Sequence, residues 1–184
     1  MATTILPKVR RLCWLVRGVA IALVGSVLVL YLVTWAFPDL AIWDQHWAKM
    51  ARIGGFPPTA ARDLAGSDRF VFGAVCLPYL ASLVWAFRHL GLMLRGFERG
   101  EFFERSTVAH LRAFSGFLLL AKALSLLAAH ARVAIYAQVA GHPQVMFNIS
   151  SDELALLLLC ALIFLIAHLM EEGNRLAEEN RSFL

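Results

Sequence analysis

The chain has 184 residues, 60% hydrophobic and only 16% charged, with a formal net charge of +4 and a mean hydropathy of +0.68. Soluble domains run at roughly 45–50% apolar and about 25% charged, and a chain this short has too much surface for its volume to hide the excess from water. A soluble globule and a disordered chain are therefore excluded, and three cysteines do not make a secreted disulfide scaffold. The composition is that of a small integral membrane protein.

A bilayer core takes about 20 apolar residues per helix. Gly18 to Phe37 and Phe70 to Phe87 carry no charge, Ala113 to Ala129 carries Lys122, and Leu154 to Met170 is interrupted only by His168. None of these runs alternates as a transmembrane strand would, and amides in lipid must bond internally, so each is expected to be helical. With flanking turns the spans are placed at about 13–37, 70–94, 108–131 and 153–172. They are joined by an outer loop 38–69, an inner loop 95–107 and a tail 173–184. The first run, preceded by Lys8, Arg10 and Arg11, is longer than a signal-peptide core and is read as a retained anchor. The expected fold is an all-α, antiparallel four-helix transmembrane bundle.

Basic residues set the orientation. Eleven lie on one side: Lys8, Arg10, Arg11 and Arg17; Arg88, Arg95, Arg99, Arg105 and Arg112; Arg175 and Arg181. Five lie on the other: Lys49, Arg52, Arg62, Arg69 and Arg132. Both termini and the middle loop are expected in the cytoplasm, in a multi-pass protein of a bacterial inner membrane. The sequence pI of 9.3 then reflects topology and attraction to anionic headgroups, not direct nucleic-acid binding.

In the outer loop, Ile42, Trp43, Trp47, Met50, Ala51 and Phe56 fall mostly at helical spacing and suggest a short amphipathic helix in the interface, ended by Pro57-Pro58. On the inner side, the second helix is expected to run to about Gly96, with Gly96 to Glu104 as a turn and Ser106 or Thr107 capping the third helix. Pro78 is expected to kink span two. Small residues recur every fourth position at Gly18, Ala22 and Ser26, and at Ala121, Ser125 and Ala129, a pattern that serves helix packing or homo-oligomer contacts equally well.

Three sets of residues carry candidate chemistry. Lys122 lies near mid-membrane, where a charge costs at least about 2.5–3.5 kcal/mol, and no Asp or Glu lies within the four apolar runs. It either snorkels, is neutral, or bonds groups such as Ser125 and Tyr79 beside a wet cavity, which would suit an anion or a lipid headgroup. His89, His110 and His168 end or begin spans on the same expected side, where facing imidazoles could ligate a transition metal or haem. No paired CxxC or HExxH supports a metal. Cys13, Cys76 and Cys160 read as inert packing groups. No nucleophile–base pair is visible, so no enzymatic activity is expected.

Two segments carry a family resemblance: RGFERGEFFERSTVAHLRAFSGFLLLAKAL from Arg95, and LLCALIFLIAHLMEEGNRLAEENRSF from Leu158. They resemble the bacterial membrane family called domain of unknown function 2975. The resemblance rests on Gly100, Phe102, Leu111, Arg112 and Ser115-Gly116 in the first, and on Gly173, Leu176, Glu178, Glu179 and Asn180 in the second. The doubled Phe102-Phe103 departs from the pattern, and Lys122 has no place in it. The resemblance implies four spans, cytoplasmic termini, no established catalysis, and a frequent gene neighbour encoding a small helix-turn-helix regulator. It makes Gly100, Phe102, Phe103, Glu178, Glu179 and Asn180 candidates for binding such a partner. Charge allows this, since an acidic tail and an Arg-rich loop could dock a soluble protein. Those groups could instead bond one another, Arg105 or Arg112 with Glu178 or Glu179. Membrane lipids are the other expected partner.

Overall fold

Backbone amides in lipid have no water to bond, so the apolar runs must close their own hydrogen bonds. In the computed structural model they do so as helices. The structure describes residues 5–36, 66–101, 104–139 and 149–182; the expected amphipathic helix of the outer loop and Phe102-Phe103 lie outside them. The elements are α1 (Ile5–Ala36), α2 (Gly66–Ala74), α3 (Leu77–Arg99), α4 (Arg105–Val139) and α5 (Ser151–Ser182), with no strand among the described residues. Among the described residues, four stretches are long and apolar enough to cross a membrane: Pro7–Val33, Phe70–Arg99, Arg105–Ile135 and Ser151–Leu176. The chain is a multi-pass, all-helical membrane protein.

The second span is broken where Pro78 requires it. Proline lacks an N–H, and its ring crowds the carbonyl four residues back. Instead of a kink at mid-span, α2 ends at Ala74 and α3 restarts at Leu77, with Pro78 in its first turn. The joint is held by Val75 N–H to Val71 O (3.2 Å), Cys76 N–H to Gly73 O (2.9 Å) and Leu80 N–H to Cys76 O (3.1 Å). From α1, the Tyr31 hydroxyl donates to Gly73 O at 2.8 Å. A side chain of one span thus satisfies a carbonyl at the break in another.

The helices on either side reach into the expected loop 95–107. α3 continues through Gly96 to Arg99, and α4 starts at Arg105. Gly100 ends the helix with φ 82° and ψ 10°. Its N–H donates to Phe97 O (3.1 Å) and that of Glu101 to Gly96 O (3.0 Å), the paired bonds of a left-handed glycine cap. Ser106 and Thr107 do not cap α4, which starts one residue earlier; Val108 N–H reaches Glu104 O at 3.0 Å. Thr107 instead lies buried against Gly96: a Cβ added there would collide with its hydroxyl and lie 3.2 Å from its methyl.

The α3–α4 hairpin is the most extensive interface, followed by α4–α5 and then α1–α3. Its seam stacks aromatic rings edge to face, Trp85 on Phe117 (centroids 6.4 Å) and Phe87 on Phe114 (6.3 Å). On α4 the buried small residues Ser115, Ala121 and Ala128 let neighbours approach, and the ring of Phe164 from α5 sits 3.2 Å from where a Cβ on Gly116 would be. The α1 stripe behaves differently. Gly18 has no atom within 4 Å of a would-be Cβ, and Ala22 and Ser26 are exposed. Among the described side chains of α1 only Cys13 is buried, packed with Met93 and Leu94. All three cysteines are free and buried.

α4 runs on to Val139, past the expected end of span three, and near that end two polar side chains bond carbonyls of their own helix. His130 Nδ1 donates to Leu126 O at 2.7 Å and Arg132 Nε to Ala128 O at 3.2 Å. α5 begins with a reciprocal cap: Glu153 N–H donates to Ser150 Oγ and Ser150 N–H to Glu153 Oε2, both at 3.3 Å.

Gly96→Ala therefore lowers the stability of the detergent-solubilised chain by about 1–3 kcal/mol, as overpacking does. Gly173→Ala, where nothing lies within 4 Å, leaves it unchanged or raises it by up to about 1 kcal/mol. Reversible unfolding followed by circular dichroism separates the two.

Candidate functional site: the arginine-rich end of the bundle

The α3–α4 hairpin brings two of the three candidate histidines together. His89 Nδ1 lies 3.1 Å from His110 Nδ1, with ring centroids 5.3 Å apart. His89 also stacks on Phe117 at 5.8 Å and 12°. Both imidazoles are half-buried. A contact between two like nitrogens works only if one carries the proton and the other offers its lone pair, so the pair is a proton-sharing unit with complementary tautomers. His168 is exposed on α5. Among the described residues no three His, Cys, Asp or Glu side chains are placed to hold a metal ion. A metal or haem at the histidines would have two protein ligands here, not the three of the sequence reading.

Ion pairs tie the other helices to this end. Arg17 of α1 reaches Glu98 of α3 at 3.0 Å, both side chains about a quarter exposed. Arg112 of α4 pairs with Glu171 of α5. The bundle base is thus closed as the sequence allowed, but through Glu171, about two helical turns before the expected Glu178 or Glu179. An antiparallel α4–α5 pair whose helices both run past the apolar zone puts Arg112 level with the first acids after span four. Because Arg112 is 46% exposed and Glu171 31%, the pair contributes at most about 1 kcal/mol. Farther along α5, Arg175 lies 3.1 Å from Glu172 and 3.6 Å from Glu179, at helical i,i+3 and i,i+4 spacing.

The candidate partner-binding residues divide. Gly100 has a local structural task as the left-handed cap of α3, which accounts for glycine there without a partner. Glu178, Glu179 and Asn180 continue α5 as helix. Phe102 and Phe103, and the side chains of Glu178 and Asn180, lie outside what the structure describes.

Lys122 is half-buried on α4, within electrostatic reach of the Cys160 thiol of α5. Ser125 and Tyr79 are also half-buried, and no hydrogen bond or ion pair joins either to Lys122 among the described residues. Two features escaped the sequence reading. The Arg17–Glu98 pair links residues 81 apart, which no local pattern reveals. The Ser150 cap was legible, since a Ser followed three residues later by Glu at a helix start is a capping box.

At neutral pH, nitrogen-15 NMR of histidine-labelled protein will show His89 and His110 as opposite neutral tautomers, one protonated at Nδ1 and the other at Nε2. Two identical tautomers are incompatible with the 3.1 Å contact.

The family profile described as "Protein of unknown function (DUF2975)" matches residues 69–182, from the start of span two to the end of α5. No curated protein and no solved structure matches the chain. The match takes in the α3–α4 hairpin, its glycine turn and the ion-paired base of α5, well over half of the residues, and the chain belongs to this family.

Proposed function

We propose that the chain is a non-enzymatic regulatory module of the bacterial inner membrane that holds a soluble helix-turn-helix regulator at its arginine-rich, cytoplasmic end. The observation that carries the reading is the length of α5. Its membrane stretch ends at Leu176, yet the helix continues to Ser182. Anchorage needs no such extension. A helix that leaves the apolar zone with Glu172, Arg175 and Glu179 at its surface offers a water-side docking face of mixed charge. The intrahelical pairs to Arg175 keep that face helical, which lowers the ordering cost of binding. The short turn at Gly100 holds the α3–α4 end beside it.

The partner in this reading is the regulator encoded next to such membrane proteins, and attraction between charges sets its docking rate and specificity. Pull-down of that regulator with the tagged full chain tests it. Glu178→Lys with Glu179→Lys lowers recovery by about tenfold, the effect of losing roughly 1.4 kcal/mol, and raising salt lowers wild-type recovery in the same direction. Wild-type recovery with the reversed tail contradicts the reading.

A further inference from the structure

α1 leans on the second span at two places, on α3 and on α2, and stands off between them. Near one end Cys13 packs with Met93 and Leu94 and Arg17 pairs with Glu98; near the other Tyr31 bonds Gly73 O. The gap is a cleft of about 650 Å³, within the range that takes a ligand of several hundred daltons. Its walls are apolar, with Ile21, Val24 and Leu28 on one side and Val84, Phe87 and Leu94 on the other. Arg17, Arg88 and Arg95 lie at its arginine-rich end.

The depth of the arginines is informative. A hydrocarbon core of about 30 Å spans about 20 helical residues, so one that begins at Phe70 ends near His89. Arg88 then stands at the edge of the hydrocarbon. Arg95, seven residues on, lies about 10 Å farther out, at headgroup depth. The two share a helix face with Gly91 between them. No atom lies within 4 Å of a would-be Gly91 Cβ, so a bare patch of helix is flanked by two guanidiniums and faced by Arg17 across the cleft.

Charge is not balanced there. Glu98 is the only acid in α1 or α3, and Arg17 holds it. Arg88 sits over the Trp85 ring at 5.1 Å, a contact that orients a cation without neutralising it. Among the described residues, no carboxylate pairs with Arg88 or Arg95. Arg17 Nε is buried with no hydrogen-bond partner, a costly state that an anion in the cleft would relieve. A second copy of the chain, aligned in the same bilayer, would bring its own arginines to this level and be repelled. An amphiphile with one anionic group matches both the apolar walls and the cationic mouth.

We propose that the α1–α3 cleft binds one anionic phospholipid. Its phosphate rests over Gly91 between Arg88 and Arg95, with Arg17 closing the third side, and an acyl chain lies between Val24 and Phe87. The site is distinct from Lys122, and it does not depend on the docking of any soluble partner.

Native mass spectrometry of the full chain in neutral detergent, titrated with phosphatidylglycerol or with phosphatidylcholine, tests this. Wild type retains a single phosphatidylglycerol in preference to phosphatidylcholine. Arg88→Gln with Arg95→Gln weakens phosphatidylglycerol binding about 30-fold, as expected for two lost charges, whereas the Arg→Lys pair keeps most of it. Gly91→Leu fills the patch without changing charge and also displaces the lipid, which decides the matter should the double Gln variant fail to fold. Lys122→Met binds as wild type. Equal retention of the two lipids, wild-type affinity in the folded Gln variant or in Gly91→Leu, loss of the lipid on Lys122→Met, or occupation of the cleft by a second copy would each overturn the proposal.

Discussion

Hydrogen bonds that the bilayer cannot supply govern this molecule. Several places where a described helix starts, stops or breaks are closed by a specific group of the chain itself. At the break in the second span, the Tyr31 hydroxyl meets Gly73 O. At the end of α3, Gly100 turns left-handed so that two N–H groups reach back to Gly96 and Phe97. At the start of α5, Ser150 and Glu153 exchange bonds. Where α4 carries His130 and Arg132, their nitrogens bond carbonyls four residues back. At the break near Pro78, at Gly100 and at Ser150 the helix bounds coincide with these closures.

Charge then distributes the work. Four arginines at one end of the bundle divide between two roles. One pins α1 to α3, another pins α4 to α5, and two more stand over an open patch of α3. Lys122 is a separate cation, ten residues beyond Arg112 on α4. The interior of the bundle is held by small residues, aromatic rings and three free, buried thiols, while its arginine-rich end concentrates the ion pairs and the joined imidazoles.

The helical spans were legible because they rest on run length, which survives without coordinates. Four apolar stretches gave four spans, and Pro78 signalled a break in the second. What escaped depended on tertiary distance. Gly96 read as part of a turn because glycine disfavours helix; its place inside α3 follows from Thr107 needing the space. Ser106 and Thr107 read as caps for the same local reason, and the hairpin overrode it. The joining of His89 to His110 was half visible, in that both were expected at one membrane face, but His168 could not be excluded from the group by sequence. Arg112 was expected to find an acid on the last helix, and the register of two long antiparallel helices chose Glu171.

The central claim is that four helices cross the bilayer with the α3–α4 turn and both helix ends Ile5 and Ser182 on one side. Thiol labelling in intact and opened cells tests it directly, using a chain whose Cys13, Cys76 and Cys160 are replaced and which carries one new cysteine at a time. Cysteines introduced at Lys8, Glu101 and Arg181 should react with an impermeant reagent only after opening, and one at Ser150 should react in intact cells. Labelling of Glu101 and Arg181 from opposite sides would contradict the account.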